Sequence, residues 1–110
     1  MKESEIKMSI IRSLRLFCPD VVFIIRIFSG KVESKWGGWV QGADPGTPDL
    51  LAILRPGVAV FIEVKSAKGR QSDDQKIFQH KIAGMANLHY CLARSRDDVI
   101  EYIKLNIIKT

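Results

Sequence analysis

Residues 46–65 constrain this chain more than any other stretch, because there an apolar run carries three charges. Gly46-Thr47-Pro48-Asp49 leads into Leu50-Leu51-Ala52-Ile53-Leu54, Arg55-Pro56-Gly57 breaks the run, and Val58 to Ile62 leads into Glu63-Val64-Lys65. Burying an ionised group is costly unless it is paired or binds a metal. Two apolar runs joined by a Pro-Gly break read as a β-hairpin of central strands, apolar on both faces and so covered on both. Alternation along the second strand puts Glu63 and Lys65 on one face and Val64 on the other.

Register decides whether Asp49 joins them. A loop of Pro56-Gly57 alone pairs Arg55 with Val58 and sets Asp49 opposite Val64, on the wrong face. A loop of Arg55 to Gly57 pairs Leu54 with Val58 and Asp49 with Glu63. Side chains directly opposite on antiparallel strands can share an ion, so this second register, or a bulge of the same effect, is the expected one.

With 110 residues, 46% of them hydrophobic and 26% charged, the chain has the makings of one compact domain over residues 1–110. Seventeen Lys and Arg against twelve Asp and Glu give a formal charge of +5, which favours a polyanionic partner without naming it. Cys18 and Cys91 match no metal-ligand spacing and read as buried free thiols in a reducing compartment. Met1 to Ile6 lacks the apolar core of a signal peptide, and no apolar run reaches membrane-spanning length. A soluble, intracellular protein with no membrane partner is the expectation.

Ile6, Ile10, Leu14 and Phe17 stand at helical spacing, so an amphipathic helix is expected from Ser4 to Phe17, ended by Pro19. Glu5 lies in its first turn and off the apolar stripe. It reads either as a solvated partner of the helix dipole or as a contributor to a site. Val21 to Phe28 reads as a strand. Residues 29–46 turn to Gly, Ser, Lys and Trp, a flexible or hairpin excursion. Lys31, Lys35, Trp36 and Trp39 there combine charge with flat aromatic faces, the mixture used in contacts to nucleic acid. The plainer alternative, preferred for at least one of the two tryptophans, is cover for the core edge.

After Lys65 comes a short basic segment containing Lys68 and Arg70. Ser72-Asp73-Asp74-Gln75 then reads as a capping box opening a helix that runs to about Met85, with Ile77, Phe78, Ile82 and Met85 as its core face and Gly84 near its end. Leu88 to Ala93 reads as a strand, and Ser95 caps a last helix with Val99, Ile100, Ile103 and Ile107 as its buried stripe. His80 and His89 have no metal-pair spacing.

Two carboxylates and a lysine at the end of a buried hairpin suit phosphodiester chemistry. Carboxylate oxygens fit a hard cation such as Mg²⁺ or Mn²⁺, which polarises a phosphate and acidifies water, and an ammonium beside them can position that water or stabilise negative charge. The plainer alternative is an i, i+2 ion pair of Glu63 with Lys65, with Asp49 closing a turn. Three such residues meeting in apolar strands favour the site.

These residues resemble a known pattern. Pro48-Asp49, thirteen intervening residues and Glu63-Val64-Lys65 look like the PD-(D/E)XK nuclease signature. With Gly46-Thr47, Leu50-Leu51, Phe61-Ile62, Ser66 to Arg70, Gln75, Phe78, Gly84 and Ala93-Arg94-Ser95, the chain is similar to the virus-type replication-repair nuclease (VRR-NUC) domain in its short stand-alone form from phages and bacteria. The resemblance is firmest from Gly46 to Ser95. One departure stands at Gln71, near which an apolar residue is usual.

The resemblance implies an α/β, restriction-endonuclease-like core, ordered α-β-β-β-α-β-α around a central mixed sheet flanked by helices. It implies Asp49, Glu63 and the backbone carbonyl of Val64 as ligands of Mg²⁺ or Mn²⁺, Lys65 as the catalytic lysine, Gln75 as an accessory polar residue, and Glu5, or Glu3 beside it, as the acidic residue of the first helix. The expected function is a metal-dependent DNA endonuclease on branched DNA such as Holliday junctions or flaps, acting as a homodimer in the cytoplasm of a bacterial or phage-infected cell. Lys31, Lys35, Lys68 and Arg70 are the candidate DNA contacts. The alternatives are a nuclease of the same superfamily with other specificity, a non-cleaving DNA-binding module, and a partner-dependent subunit.

Overall fold

A computed structural model describes residues 1–29 and 31–108, with the side chains of residues 31–33, 40 and 41 left outside the description. The elements in chain order are α1 (Glu3–Phe17), β1 (Val21–Arg26), β2 (Lys31–Glu33), β3 (Trp39–Gln41), β4 (Leu50–Leu54), β5 (Val58–Val64), α2 (Asp73–Ile82), β6 (Leu88–Ala93) and α3 (Arg96–Asn106). β1, β4, β5 and β6 lie side by side in that order in one sheet, while β2 and β3 pair with each other as a separate antiparallel hairpin. With that hairpin set aside, the order is the α-β-β-β-α-β-α of a PD-(D/E)XK-like core. The sheet is mixed: β1–β4 and β4–β5 are antiparallel, and β5–β6, joined through α2, is parallel.

The hairpin takes the register that the charges require. Leu54 pairs with Val58 and Leu50 with Ile62, so the positions just beyond, Asp49 and Glu63, face each other. Strand alternation then sorts the apolar residues. Leu50, Ala52, Leu54, Val60, Ile62 and Val64 are buried on one face, against Ile6, Ile10, Ile11 and Leu14 of α1 and Val99 and Ile103 of α3. Each fully buried Leu, Ile or Val contributes roughly 1.5–3 kcal/mol, so this layer dominates the stability of so small a domain.

The other face is covered less completely than two apolar runs suggest. Leu51, Ile53 and Phe61 are only half-buried there. α2 reaches that face mainly through aromatic contacts, Phe78 edge-on to Phe61 at 5.0 Å and beside Tyr90 at 6.3 Å between ring centres. Ile77 and Met85, expected in its core face, are exposed, and α2 buries no residue at all. The helix also stops at Ile82, before Met85, because Gly84 takes a positive φ of 83° that ends the turn. Phe17, the last residue of α1, is exposed too. Cys18 and Cys91 are buried free thiols. Burial within β6 pushes the Cys91 thiol up to about 12. Among the described residues no helix is long and apolar enough to cross a membrane.

Candidate active site

The site forms where β4 begins and β5 ends. Beyond the Leu50–Ile62 pair the β4–β5 ladder stops, and the next N–H on that side, that of Val64, needs another partner. Asp49 supplies it: its Oδ2 accepts the Val64 N–H at 2.9 Å. The other Asp49 oxygen, Oδ1, lies 3.6 Å from Nζ of Lys7, which reaches over from α1. On its far side β5 is held by β6, the Lys65 N–H donating to Ala93 O at 3.0 Å. Asp49 is thus fixed by both its oxygens, and the backbone of residues 63–65 is pinned from two sides.

Glu63 is only 3% exposed, and among the described residues its Oε1 has no hydrogen-bond partner. Its carboxyl is pushed up from 4.5 to about 8, first by burial and then by Asp49, whose carboxyl favours the protonated form both as a hydrogen-bonding neighbour and as a like charge. Lys65 pulls the other way, and Glu3 adds a small push upward. A buried carboxylate oxygen left unpaired beside a second carboxylate is a costly arrangement for a bare protein. It fits a divalent cation, which would neutralise both charges and satisfy the orphaned oxygen. Among the described residues no cluster of three or more His, Cys, Asp or Glu side chains is placed to hold a metal, so the two carboxylates stand there as a pair.

Asp49, Glu63, Val64 and Lys65 are therefore brought together, with Lys65 half-buried at the end of β5. Gln75 lies at the start of α2, where its Oε1 accepts the Ser72 N–H at 2.8 Å and its own N–H donates to Ser72 Oγ at 3.2 Å. Its oxygen serves the helix cap. Glu5 is exposed and its Oε1 accepts the Lys2 N–H at 3.1 Å; the first-turn acid whose charge reaches Glu63 is Glu3. Lys68 and Arg70 stand exposed in the loop after β5, and Lys35 is exposed with its Nζ 5.5 Å from the centre of the Trp36 ring. The Lys31 side chain lies outside the described residues. Trp36 and Trp39 do not cover the core edge: they are 87% and 70% exposed.

Two contributors were given no role from the sequence, although Arg94 stands among the residues that carry the resemblance. Lys7, the partner of Asp49, looks from its spacing like one more cation on the solvated face of α1. Arg94 follows β6 directly, and the parallel register that sets Val64 beside Ala93 brings it level with Lys65. Its Nη1 donates to Ser66 O at 2.6 Å, Gly69 O at 2.7 Å and Ala67 O at 3.4 Å, while its own N–H is held by Asp98 Oδ2 at 2.8 Å. The guanidinium thus gathers the loop that leaves the site. The signal was a lone arginine between a buried strand and a helix cap. Gln71, the departure noted above, bridges Tyr90 Oη at 3.0 Å and Gln79 Oε1 at 2.9 Å, a polar tie where an apolar contact is usual. His89 is half-buried, with Nδ1 3.1 Å from Tyr102 Oη and away from the site.

Compared with models of protein families, residues 11–97 match the VRR-NUC domain. Among the curated proteins and among the solved structures, nothing matches.

Proposed function

The chain belongs to the VRR-NUC family, matched over residues 11–97 of 110, and on that premise we propose that it is a divalent-metal-dependent endonuclease selective for branched DNA such as four-way junctions and flaps. Membership makes it a nuclease-type domain with DNA as substrate; metal dependence, branch selectivity and assembly as a homodimer are proposed beyond that.

The observation that carries the reading is the buried Glu63 carboxyl, opposite Asp49, with one oxygen that has no hydrogen-bond partner among the described residues. Asp49, Glu63 and the Val64 carbonyl would hold Mg²⁺ or Mn²⁺. When bound, such a cation supplies Lewis-acid polarisation of the phosphate and a more acidic water. The chain's own residues do the rest. Asp49, braced by Val64 and Lys7, keeps the carboxylate pair in place. The Lys65 ammonium orients the attacking water and stabilises negative charge growing on the phosphate oxygens. The water oxygen bonds to phosphorus and gives up a proton to solvent as the bond to the leaving oxygen breaks and that oxygen takes a proton from solvent, giving a phosphate end and a hydroxyl end. Lys68 and Arg70, on the loop gathered by Arg94, meet the DNA backbone. Exposed Phe23 and Ile25 on the edge strand β1, beside half-buried Ile53 and Leu51 on the less covered face of the sheet, support a face that a second copy covers.

The test is a cleavage assay on labelled four-way junction, flap, duplex and single-stranded DNA in Mg²⁺, Mn²⁺ or EDTA, with light scattering for oligomeric state. Paired symmetrical nicks in the junction, absent with EDTA, are expected from a dimer. Binding without cleavage in every metal would favour a DNA-binding or partner-dependent role instead.

A further inference from the structure

The β2–β3 hairpin carries the only two tryptophans of the chain, and both indoles face solvent, 87% exposed for Trp36 and 70% for Trp39. Trp is usually well buried, so two exposed indoles on one short hairpin call for a partner. Among the described residues the fold leaves them uncovered: β2 and β3 pair with each other as a separate hairpin, outside the main sheet. The turn that presents Trp36 is nonetheless firmly built. Ser34 Oγ accepts the N–H groups of Trp36 at 3.3 Å and Gly38 at 3.2 Å, Ser34 N–H donates to Gly38 O at 2.6 Å, and Gly37 takes a φ of 88°. Lys35 adds an ammonium 5.5 Å from the Trp36 ring centre, so a flat aromatic face and a phosphate-binding charge are offered together.

The hairpin is rooted beside the site. Ala43 N–H donates to Phe28 O at 2.9 Å, and the preceding residue, Ile27, just past the end of β1, donates its N–H to Asp49 O at 2.8 Å. Gly42 lets the root close, because a Cβ there would run into the ring and carbonyl of Phe28. One residue thus separates the base of the hairpin from the backbone of Asp49.

We propose that the β2–β3 hairpin is a base-stacking arm, in which Trp36 and Trp39 stack on unpaired bases at the branch point of the DNA while Lys35 meets the adjoining phosphate. This rests on the nuclease reading and deepens it: the substrate is DNA with exposed bases within reach of the site, and the arm is what separates it from blunt duplex. Stacking on aromatic side chains tolerates any base and needs none of the groove contacts that a duplex offers.

Because the chain has no other tryptophan, its whole tryptophan emission reports on the arm. Wild-type protein in EDTA, where no metal supports cleavage, would be titrated with a flap substrate, oligo-dT and a blunt duplex, with the anisotropy of end-labelled DNA read in parallel. The emission should be strongly quenched by the flap and by oligo-dT and little changed by the duplex. Trp36→Ala and Trp39→Ala should each weaken flap binding about tenfold while leaving duplex binding and the circular dichroism spectrum unchanged, and Trp36→Phe should restore most of the affinity. DNA binding with unchanged emission would overturn the arm and leave the nuclease reading standing, whereas no binding to any DNA would overturn both. Emission that changes with protein concentration alone would show that the indoles pack on a second copy, and would overturn the arm as well.

Discussion

Asp49 and Glu63 face each other one step beyond the Leu50–Ile62 pair, and they are held in opposite ways. Asp49 Oδ2 accepts the Val64 N–H at 2.9 Å, while Glu63 Oε1, equally close to the end of the ladder, has no partner among the described residues. The fold therefore positions one carboxylate with its own hydrogen bonds and leaves the other to be satisfied from outside.

This asymmetry gives the metal-free protein a characteristic pH dependence. A free glutamate ionises near 4.5 and Glu63 in the fold near 8, so between those values the unfolded chain has released a proton that the folded chain keeps. The contribution of Glu63 is complete below about 4.5, shrinks as the pH rises to about 8, and is constant above that. The loss is on the order of a few kcal/mol. Urea melts from pH 4 to pH 9 in EDTA should show wild type falling relative to Glu63→Gln across this window; parallel curves would mean that Glu63 is not strained.

Cation binding should be coupled to the same proton. At pH 7 the protonated Glu63 must ionise to become a ligand, so Mn²⁺ binding should release close to one proton per site. Calorimetric titrations in buffers of different ionisation enthalpy measure this directly. Glu63→Gln should bind Mn²⁺ roughly tenfold or more weakly and release no proton.

Arg94 is a positioning residue. Its guanidinium collects the carbonyls of Ser66 and Gly69 at 2.6 and 2.7 Å, in the loop that follows Lys65 just past the end of β5. Arg94→Ala should lower kcat/KM roughly tenfold, while the melting temperature falls by only about 4 °C or less, because the group is exposed. Arg94→Lys keeps the charge but not the fork of donors and should behave like the alanine variant. Rescue by lysine would reduce the role to charge alone.

Gly46 joins the loop before Asp49 to α2. It takes a φ of 88°, and a Cβ there would strike the backbone carbonyl of Asp74. Gly46→Ala should cost roughly 2 kcal/mol or more, with loss of DNA cleavage following the loss of fold. A melt indistinguishable from wild type would show that the loop can move aside.

The fold was legible where period and punctuation agree. The apolar runs around Arg55-Pro56-Gly57, the capping residues Ser72 and Ser95, and the β-branched run from Val21 each placed an element to within a few residues. The two carboxylates were legible because charges in a buried strand are rare enough to demand a register, and that register is the one found. What sequence could not convey is which face of the sheet is fully covered. Ile77, Met85 and Phe17 follow helical spacing as well as any core residue, yet they are exposed, the first two because α2 touches the sheet through Phe78, and Phe17 as the last residue of α1. Lys7 and Arg94 were equally hidden: their roles come from elements far apart in sequence, and a lone cation in an amphipathic pattern looks solvated until the partner strand is in place.

Lys65, beside Asp49 and Glu63, is the proposed catalytic residue of phosphodiester hydrolysis. The most direct measurement is the single-turnover rate of cleavage of an end-labelled flap or four-way junction in Mg²⁺ by wild type and by Lys65→Ala, with DNA affinity and melting temperature read on the same samples. The rate should fall by roughly 10²-fold or more while affinity and fold are retained; equal cleavage by the two proteins would contradict the assignment.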